Sequence, residues 1–181
     1  MQRFAPVLEV AKVVIAVFVS AILIRAFIFQ PFVVDGSSME PNFHHGEYLF
    51  VEKLSYRFGG PERGDVVVLK FPSNEQVNYI KRVIGLPGET LSIKDGRVAI
   101  NGQPLNESYL ISGEQTVVSR NPELPYEITL KDDQYFVMGD NRNHSSDSRD
   151  GWLLTRKLIV GRSALVLYPR QDFKAVASPK Y

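Results

Sequence analysis

Two adjacent serines in the segment GSSMEPN, residues 36–42, are the first side chains that could serve as a nucleophile. A serine hydroxyl attacks a carbonyl only when a neighbouring base takes its proton. The 181-residue chain contains no cysteine, which excludes thiolate catalysis, and its three histidines leave few candidate bases. The segment alone also fits a plain turn, because Gly, Ser, Pro and Asn are typical turn residues. The rest of the chain has to decide between these interpretations.

A histidine is the first candidate base. His144 lies in GDNRNHSSDSRDG, residues 139–151, where Asp140 and Asp147 are its neighbours. A triad of Ser38, His144 and one of these aspartates is therefore conceivable. The remaining histidines follow the serines closely, in a His-His-Gly run that is typical of a turn.

Lys81 is the second candidate base. It lies in YIKRVIGLPGE, residues 79–89, in a predicted strand whose alternation places it on the same face as Tyr79 and Val83. A lysine among apolar side chains loses solvation, which lowers its pKa and makes the neutral amine available as a general base. The alternative is an edge strand from which Lys81 points into solvent, and the strand pattern taken alone favours that alternative.

The chain beyond residue 30 consists mainly of segments that predict β-strands. β-Branched and aromatic runs occupy residues 48–56, 65–71, 76–84, 126–141 and 157–169. No long period of 3.6 residues, which would indicate an amphipathic helix, follows residue 30. We therefore predict a mostly antiparallel β-sandwich or β-barrel domain over residues 31–170.

Turn signals and composition divide this domain further. Residues 90–105 alternate in polarity and contain Asp95-Gly96 and Asn101-Gly102, which are both strong signals for hairpin turns. Residues 106–125 have a mixed composition and predict a loop-rich insertion. Residues 171–181 predict a frayed polar tail.

The first part of the chain, residues 1–30, predicts a cytosolic stub followed by one transmembrane helix. The segment 13–24 carries no charge, and Lys12 and Arg25 flank it at positions from which they can reach the two membrane interfaces. Pro31 predicts that the helix ends before it. The positive-inside rule places the N-terminus in the cytosol and the residues after the helix outside.

Two other interpretations of this segment are less consistent with its sequence. A cleaved signal peptide needs small residues at a cleavage site after the apolar core, whereas Arg25 and the bulky run FIFQPF follow it here. An interfacial amphipathic helix needs one polar face, whereas the apolar residues run all round this helix.

Overall composition excludes several functional classes. Hydrophobic residues make up 44% and charged residues 23% of the chain, which is typical of a folded globular protein. A formal net charge of +1 provides no strong field for nucleic acid, so we expect no nucleic-acid partner. No group of His, Asp and Glu has a ligand spacing such as H-E-x-x-H, and we expect neither a metal nor another cofactor.

Four blocks of sequence follow the predicted span in a fixed order: GSSMEPN (36–42), RGDVVVLKFP (63–72), YIKRVIGLPGE (79–89) and GDNRNHSSDSR (139–149). Together they resemble the type I signal peptidases, which are membrane-anchored serine proteases that remove signal peptides from exported proteins. The resemblance implies that Ser38 is the nucleophile and Lys81 the general base. It also implies that His144 takes no part in a triad.

The resemblance further implies residues that support this pair. Ser145 matches the hydroxyl that orients the lysine, so we expect it to form a hydrogen bond with Lys81 and hold the amine in place. Asp147 and Arg149 match a structural ion pair, and we expect Arg82 to join it.

Two glycines also have expected roles. Gly139 is expected to allow a close approach of the backbone to the site. Gly36 occupies a position where some members of the family have a serine whose hydroxyl helps to bind the oxyanion, so the second oxyanion donor stays open.

The implied substrates are the signal peptides of exported preproteins, cut after small-x-small sites such as Ala-x-Ala. Shallow apolar pockets would select such residues by excluding larger ones. The candidate pocket walls, for which ordinary core packing is the alternative, are Val34, Met39, Phe43, Tyr79 and Ile80.

The location implied is a bacterial plasma membrane or a thylakoid membrane, with the catalytic domain on the exoplasmic or lumenal side. The apolar residues 27–34 join the span to the nucleophile and are expected to lie on the lipid. The expected partners are the lipid bilayer and the protein export machinery.

Two rival interpretations are less consistent with the sequence. The self-cleaving repressors of the DNA-damage response share a Ser/Lys pair, but they lack the membrane span and the last block. A membrane-anchored β domain that only binds exported chains would have an inert serine, and nothing in the sequence favours that.

Overall fold

The structure is a computed structural model that describes residues 5–118 and 126–179, with side chains from residue 9 onward. Two α-helices, α1 and α2, span Ala5–Phe27 and Ser55–Phe58. The strands, β1 to β12 in chain order, are Phe29–Val33, Tyr48–Glu52, Val66–Phe71, Asn74–Gly85, Thr90–Lys94, Arg97–Ile100, Gln103–Pro104, Tyr126–Thr129, Gln134–Met138, Leu154–Thr155, Ile159–Tyr168 and Lys174–Ala175.

Helix α1 has the length and composition of a membrane span. Its 23 residues extend over about 34 Å at 1.5 Å per residue, which exceeds the ~30 Å hydrocarbon core of a bilayer. Its segment Glu9–Phe27 is the one candidate span in the described part of the chain, and none of it is buried against the domain. The predicted apolar N-terminal helix is therefore present, and it ends before Pro31 as expected.

The strands form two antiparallel sheets, which confirms the predicted fold class. The larger sheet has the order β1-β2-β11-β3-β4-β9-β10, with β12 pairing to β11, and the smaller one has the order β7-β6-β5-β8. Strand β1 is an edge strand, and an edge strand tolerates Pro31, which has no backbone N–H to donate.

Both predicted hairpin turns are confirmed. Asp95 and Gly96, between β5 and β6, have φ angles of 51° and 73°. Asn101 and Gly102, between β6 and β7, have φ angles of 49° and 78°. Two consecutive residues with positive φ define the type I′ turn that Asp-Gly and Asn-Gly favour.

The core consists of three apolar clusters that fix the sheets and the loops between them. The first holds residues from the loop after β1 against β2, β3 and β4, and it contains Val34, Met39 and Phe43. The second lies between the helical segment α2 and strands β3, β4 and β9, and the third joins the smaller sheet to β9. The loop that carries the candidate nucleophile is therefore packed into the main core.

Two regions differ from the sequence-based prediction, and a third, the predicted insertion, is described only in part. The run at 48–56 divides into β2 and the short helix α2. Residues 171–179 are not a frayed tail, because β12 pairs with β11 and continues the sheet. Of the predicted insertion, residues 106–118 form turns and irregular structure, while residues 119–125 lie outside the described residues.

Candidate active site

Ser38 lies in a tight loop between β1 and β2. Gly36 has a φ of 94°, which only glycine adopts without strain. The N–H of Glu40 donates to Ser37 O over 3.1 Å, and the N–H of Phe43 donates to Met39 O over 3.0 Å. Because the side chains of the loop's second half enter the core, the backbone on either side of Ser38 is held in place.

Lys81 lies in β4 with its amine directed at this loop. Its Nζ and the Ser38 Oγ are 2.8 Å apart, which is hydrogen-bond distance. The same Nζ donates to Ile80 O over 3.0 Å and lies 5.1 Å from the ring centre of Tyr79. Only 3% of Lys81 is exposed, so the alternative of a solvated edge-strand lysine does not hold.

Burial lowers the pKa of Lys81 to about 8. The negative charges of Asp147 and Asp140 act in the opposite direction, and the positive charge of Arg149 adds to the lowering. The loss of hydration dominates because an ammonium ion is much better solvated in water than among apolar groups. A large fraction of the side chain is therefore a neutral amine in mildly alkaline solution.

The histidines do not form the triad that the sequence left open. His144 is exposed, and its Nδ1 lies 3.1 Å from Asn141 Oδ1 rather than at Ser38. Close to the nucleophile, His45 Nδ1 accepts a hydrogen bond of 3.2 Å from the Gly36 N–H. The Ser38 hydroxyl thus has a lysine as its basic neighbour and no histidine within hydrogen-bond distance among the described residues.

The segment after β9 closes against the nucleophile loop. A Cβ added at Gly139 would collide with Ser38 O and Ser145 Oγ, so only glycine fits there. The Asn141 N–H donates to Ser38 O, and Asn141 Nδ2 donates to Ser37 O, both over 3.1 Å. These contacts fix the position of Ser38 relative to Lys81.

Two buried ion pairs hold this segment. Asp147 accepts two hydrogen bonds of 2.8 Å from the Arg149 side chain and one of 3.0 Å from the Gly139 N–H. Burial alone would raise the pKa of Asp147, but the hydrogen bonds and charge of Arg149 hold it below its usual value. Asp140 accepts hydrogen bonds of 2.8 and 2.6 Å from Arg82.

Arg82, which we expected to join the Asp147–Arg149 pair, forms an ion pair with Asp140. Consecutive residues of a strand point to opposite faces, so Arg82 leaves β4 on the side opposite to Lys81. There it meets Asp140, which is the second residue after β9, and its Nη1 also donates to Gly64 O over 2.9 Å.

Ser145 is close to the site but does not make the expected hydrogen bond to Lys81. Its Oγ is buried and has no partner of good hydrogen-bond geometry among the described residues. After the larger effects of Arg149 and the Gly139 N–H, Ser145 adds to the lowering of the Asp147 pKa. Lys81 instead uses Ile80 O as its second partner.

Sequence reasoning missed a third buried ion pair that supports the same segment. Arg142 is 2% exposed, and its Nη2 contacts Glu107 Oε1 at 2.5 Å and Tyr109 OH at 3.2 Å. Its side chain also donates to Thr116 and, over 3.1 Å, to Gly139 O. The predicted insertion therefore contacts and stabilises the segment that follows β9.

A cleft of about 290 Å³ opens beside Ser38 and Lys81. Of the candidate pocket walls, Val34, Tyr79 and Ile80 line it. Met39 and Phe43 do not, because they are 1% and 2% exposed in the first core cluster. Their expected role as pocket walls is therefore corrected to core packing, which was the alternative.

A serine and a buried lysine at hydrogen-bond distance, beside a cleft, fit a serine hydrolase. Comparison with known proteins agrees: the family described as signal peptidase, peptidase S26, matches residues 7–168. The chain belongs to this family of serine peptidases.

Individual relatives are similar over most of the chain. Signal peptidase I S of Bacillus subtilis is 41% identical, over 93% of this chain and 92% of the relative. The probable signal peptidase I-2 of Synechocystis is 36% identical, over 90% of this chain and 73% of the relative. A solved signal peptidase I from Enterococcus faecalis is 33% identical and covers 59% of this chain and 96% of its own, with a TM-score of 0.48.

The Arg82–Asp140 pair gives a prediction for stability. Asp140→Asn removes the charge of the carboxylate that accepts two hydrogen bonds from the buried guanidinium of Arg82, so we expect the free energy of unfolding to fall by about 3 kcal/mol. Urea denaturation of the detergent-solubilised protein measures this change. The matched control is Glu75→Gln, which removes the exposed ion pair with Lys70 and should cost about 0.5 kcal/mol or less. Equal losses in the two variants would contradict the assigned importance of the buried pair.

Proposed function

We propose that this signal peptidase removes N-terminal signal peptides from exported preproteins with Ser38 as nucleophile and Lys81 as general base. The observation that carries the proposal is the 2.8 Å separation of Lys81 Nζ and Ser38 Oγ. A lysine buried to this degree has a lowered pKa, so its neutral amine can take the serine proton. No described group other than Lys81 is both basic and in contact with the Ser38 hydroxyl.

The reaction proceeds through an acyl-enzyme. Ser38 Oγ attacks the carbonyl carbon at the cleavage site while its proton passes to Lys81 Nζ. The tetrahedral intermediate collapses when the C–N bond breaks, and the Lys81 ammonium returns the proton to the leaving amine. The mature protein departs with a free N-terminus, and the signal peptide stays esterified to Ser38.

Hydrolysis of the ester repeats the same proton transfers. The neutral Lys81 takes a proton from a water molecule, which attacks the ester carbonyl, and the proton then goes to Ser38 Oγ as the ester bond breaks. The Ser38 N–H stabilises the oxyanion in both steps. Because Gly36 has no hydroxyl, the second donor has to come from another group at the cleft.

The lining of the cleft supports a preference for small apolar residues before the cleavage site. In an extended substrate the side chains at −1 and −3 point to the same face. The apolar side chains of Val34 and Ile80 line the cleft beside Ser38, where they would contact that face of the substrate. We therefore propose cleavage after small-x-small sequences.

The membrane helix supports a single-pass arrangement. Helix α1 leaves the candidate span at Phe27, and the chain continues directly into β1 and the loop of Ser38. With the N-terminus in the cytosol, the catalytic domain lies on the exoplasmic or lumenal side, where the cleavage sites of exported chains emerge. The bilayer and the protein export machinery are its proposed neighbours.

The identity of the base can be tested with three variants. Ser38→Ala and Lys81→Ala should each reduce cleavage of a labelled preprotein in detergent and lipid by about a thousandfold. His144→Ala should keep cleavage within about twofold, because His144 contacts neither Ser38 nor Lys81. An inactive His144→Ala protein would restore the triad, and a wild type that binds preprotein without cutting it would indicate a binding domain.

The lowered pKa of Lys81 predicts the pH dependence of cleavage. The base works only when neutral, so kcat/KM should rise with pH, about tenfold per unit in the acid range, and level off above a pKa of about 8. Lys81→Arg should be inactive at every pH, because a guanidinium stays protonated. A rate that is already maximal near pH 6 would contradict the assignment of Lys81 as base.

The proposed size limit predicts a positional effect in the substrate. Replacing the alanine at −1 by leucine should lower kcat/KM by about tenfold or more, because the proposed site accepts only small side chains at this position. The same replacement at −2 is the control, since that side chain points to the opposite face. Similar losses at −1 and −2 would show that the cleft does not select by size.

A further inference from the structure

The C-terminal residues make contacts that the catalytic mechanism above does not use. After β11 ends at Tyr168, the chain turns back and β12, Lys174–Ala175, pairs with β11 at Val166 and Leu165. The next residue extends the pairing, because the Val176 N–H donates to Ala164 O over 2.9 Å. We call residues 174–178 the strap. It lies beyond residue 168, where the family match ends.

The strap is attached to the loop of Ser38 by a polar and an apolar contact. Lys174 Nζ donates a hydrogen bond of 2.6 Å to Asn42 O and lies 5.5 Å from the ring centre of Phe43. Val176 packs against the core cluster that contains Met39 and Phe43. Both contacts act on the second half of the nucleophile loop.

The far end of the strap is also fastened. Ser178 Oγ donates to Asp65 Oδ1 over 2.8 Å. Asp65 is buried at the start of β3 and accepts a further hydrogen bond of 2.7 Å from Tyr56 OH. The strap therefore extends from β11 to the residue before β3, and it contacts the loop of Ser38 between these two attachments.

Asn42 connects the strap to the ion pair between Asp140 and Arg82. Its side chain donates to Asp140 Oδ2 over 2.9 Å and to Tyr109 O over 2.8 Å, while its backbone oxygen accepts from Lys174. Asp140 is the ion-pair partner of Arg82, which follows Lys81 in β4. The loop is thus held on one side by the strap and on the other by the strand that carries the base.

We propose that the strap positions Ser38 against Lys81, with Lys174 as its principal positioning residue. This proposal rests on the Ser38 and Lys81 mechanism. The strap contacts neither of these residues and is not catalytic itself. It limits movement of the loop, and a displacement of about 1 Å at a nucleophile is enough to slow acyl transfer strongly.

The test compares three substitutions in the full-length protein in detergent and lipid. Lys174→Met keeps the aliphatic chain and removes the donor, Lys174→Arg keeps a cationic donor, and Lys131→Met removes an exposed lysine elsewhere in the domain as the control. Lys174 is exposed and in an edge strand, so the folded state should tolerate all three changes. Preprotein cleavage gives kcat and KM, and thermal denaturation monitors the fold.

We expect Lys174→Met to lower kcat about fivefold with KM within about twofold, because the loop position affects the chemical step more than substrate binding. A loosened loop also rehydrates Lys81, so the acid limb of the kcat/KM profile should move to higher pH. Lys174→Arg should restore both values, and Lys131→Met should change neither. Deleting residues 170–181 should lower kcat further than the point variant does.

The proposal would be overturned if Lys174→Met behaved like Lys131→Met. A loss of kcat that leaves the acid limb in place, or that Lys174→Arg fails to restore, would also overturn it. Lys81→Ala is assayed in parallel, so that a failure of the Ser38 and Lys81 mechanism can be distinguished from a failure of the strap proposal. Activity in Lys81→Ala would refute the proposed function, whereas an inactive Lys81→Ala with an unaffected Lys174→Met would refute only the strap.

Discussion

The burial of one lysine amine is the physical constraint on which the site depends. An ammonium ion among apolar side chains is costly, so the fold favours the neutral form of Lys81. Two aspartates lie close enough to oppose this effect by stabilising the charged form. Each of them has its own guanidinium, Arg149 for Asp147 and Arg82 for Asp140. The ion pairs are therefore more than structural braces, because they keep two nearby carboxylates from holding the lysine in its charged state.

The second requirement is a close approach of two loops, and it explains the pattern of small and amide side chains around the serine. Only glycine fits at position 139 against Ser38 O, and Asn141 donates hydrogen bonds to Ser38 O and to Ser37 O. The Arg142 side chain donates a hydrogen bond to Gly139 O and forms an ion pair with Glu107. Backbone hydrogen bonds to a buried charged network tolerate little displacement. The position of Ser38 is thus fixed by groups outside its own loop.

Sequence patterns predicted the local structure of this protein better than its long-range pairing. Alternation and Asp-Gly or Asn-Gly turns define strands and hairpins because both depend on neighbours in the chain. Arg82 and Asp140 are far apart in sequence, and their pairing depends on the register of β4 against β9. The Glu107–Arg142 pair has the same origin, and a buried arginine has no sequence signal that separates it from a surface one. The strand pattern alone could not decide whether Lys81 is buried, since that depends on which loop covers it.

The errors at the periphery have a related cause. Met39 and Phe43 follow Ser38 closely in sequence, yet a tight loop directs neighbouring side chains apart, so these two enter the core while Ser38 faces the cleft. The polar composition of residues 171–181 suggested a free tail, but strand pairing uses backbone groups, which every residue other than proline supplies in full. A short polar segment can therefore add a strand wherever a neighbouring strand leaves backbone groups open.

The end of helix α1 is attached to the larger sheet close to the loop of Ser38. The Lys53 N–H donates to Ile28 O over 2.9 Å, and the Arg57 guanidinium lies 5.0 Å from the ring centre of Phe27, so the end of α1 is held by residues after β2. Strand β1 then runs without a linker into the loop of Ser38 and pairs along its length with β2. A flexible linker would let the catalytic domain sample many heights above the bilayer. The short connection from helix α1 through β1 to Ser38 instead limits how far the cleft can lie from the end of the candidate span.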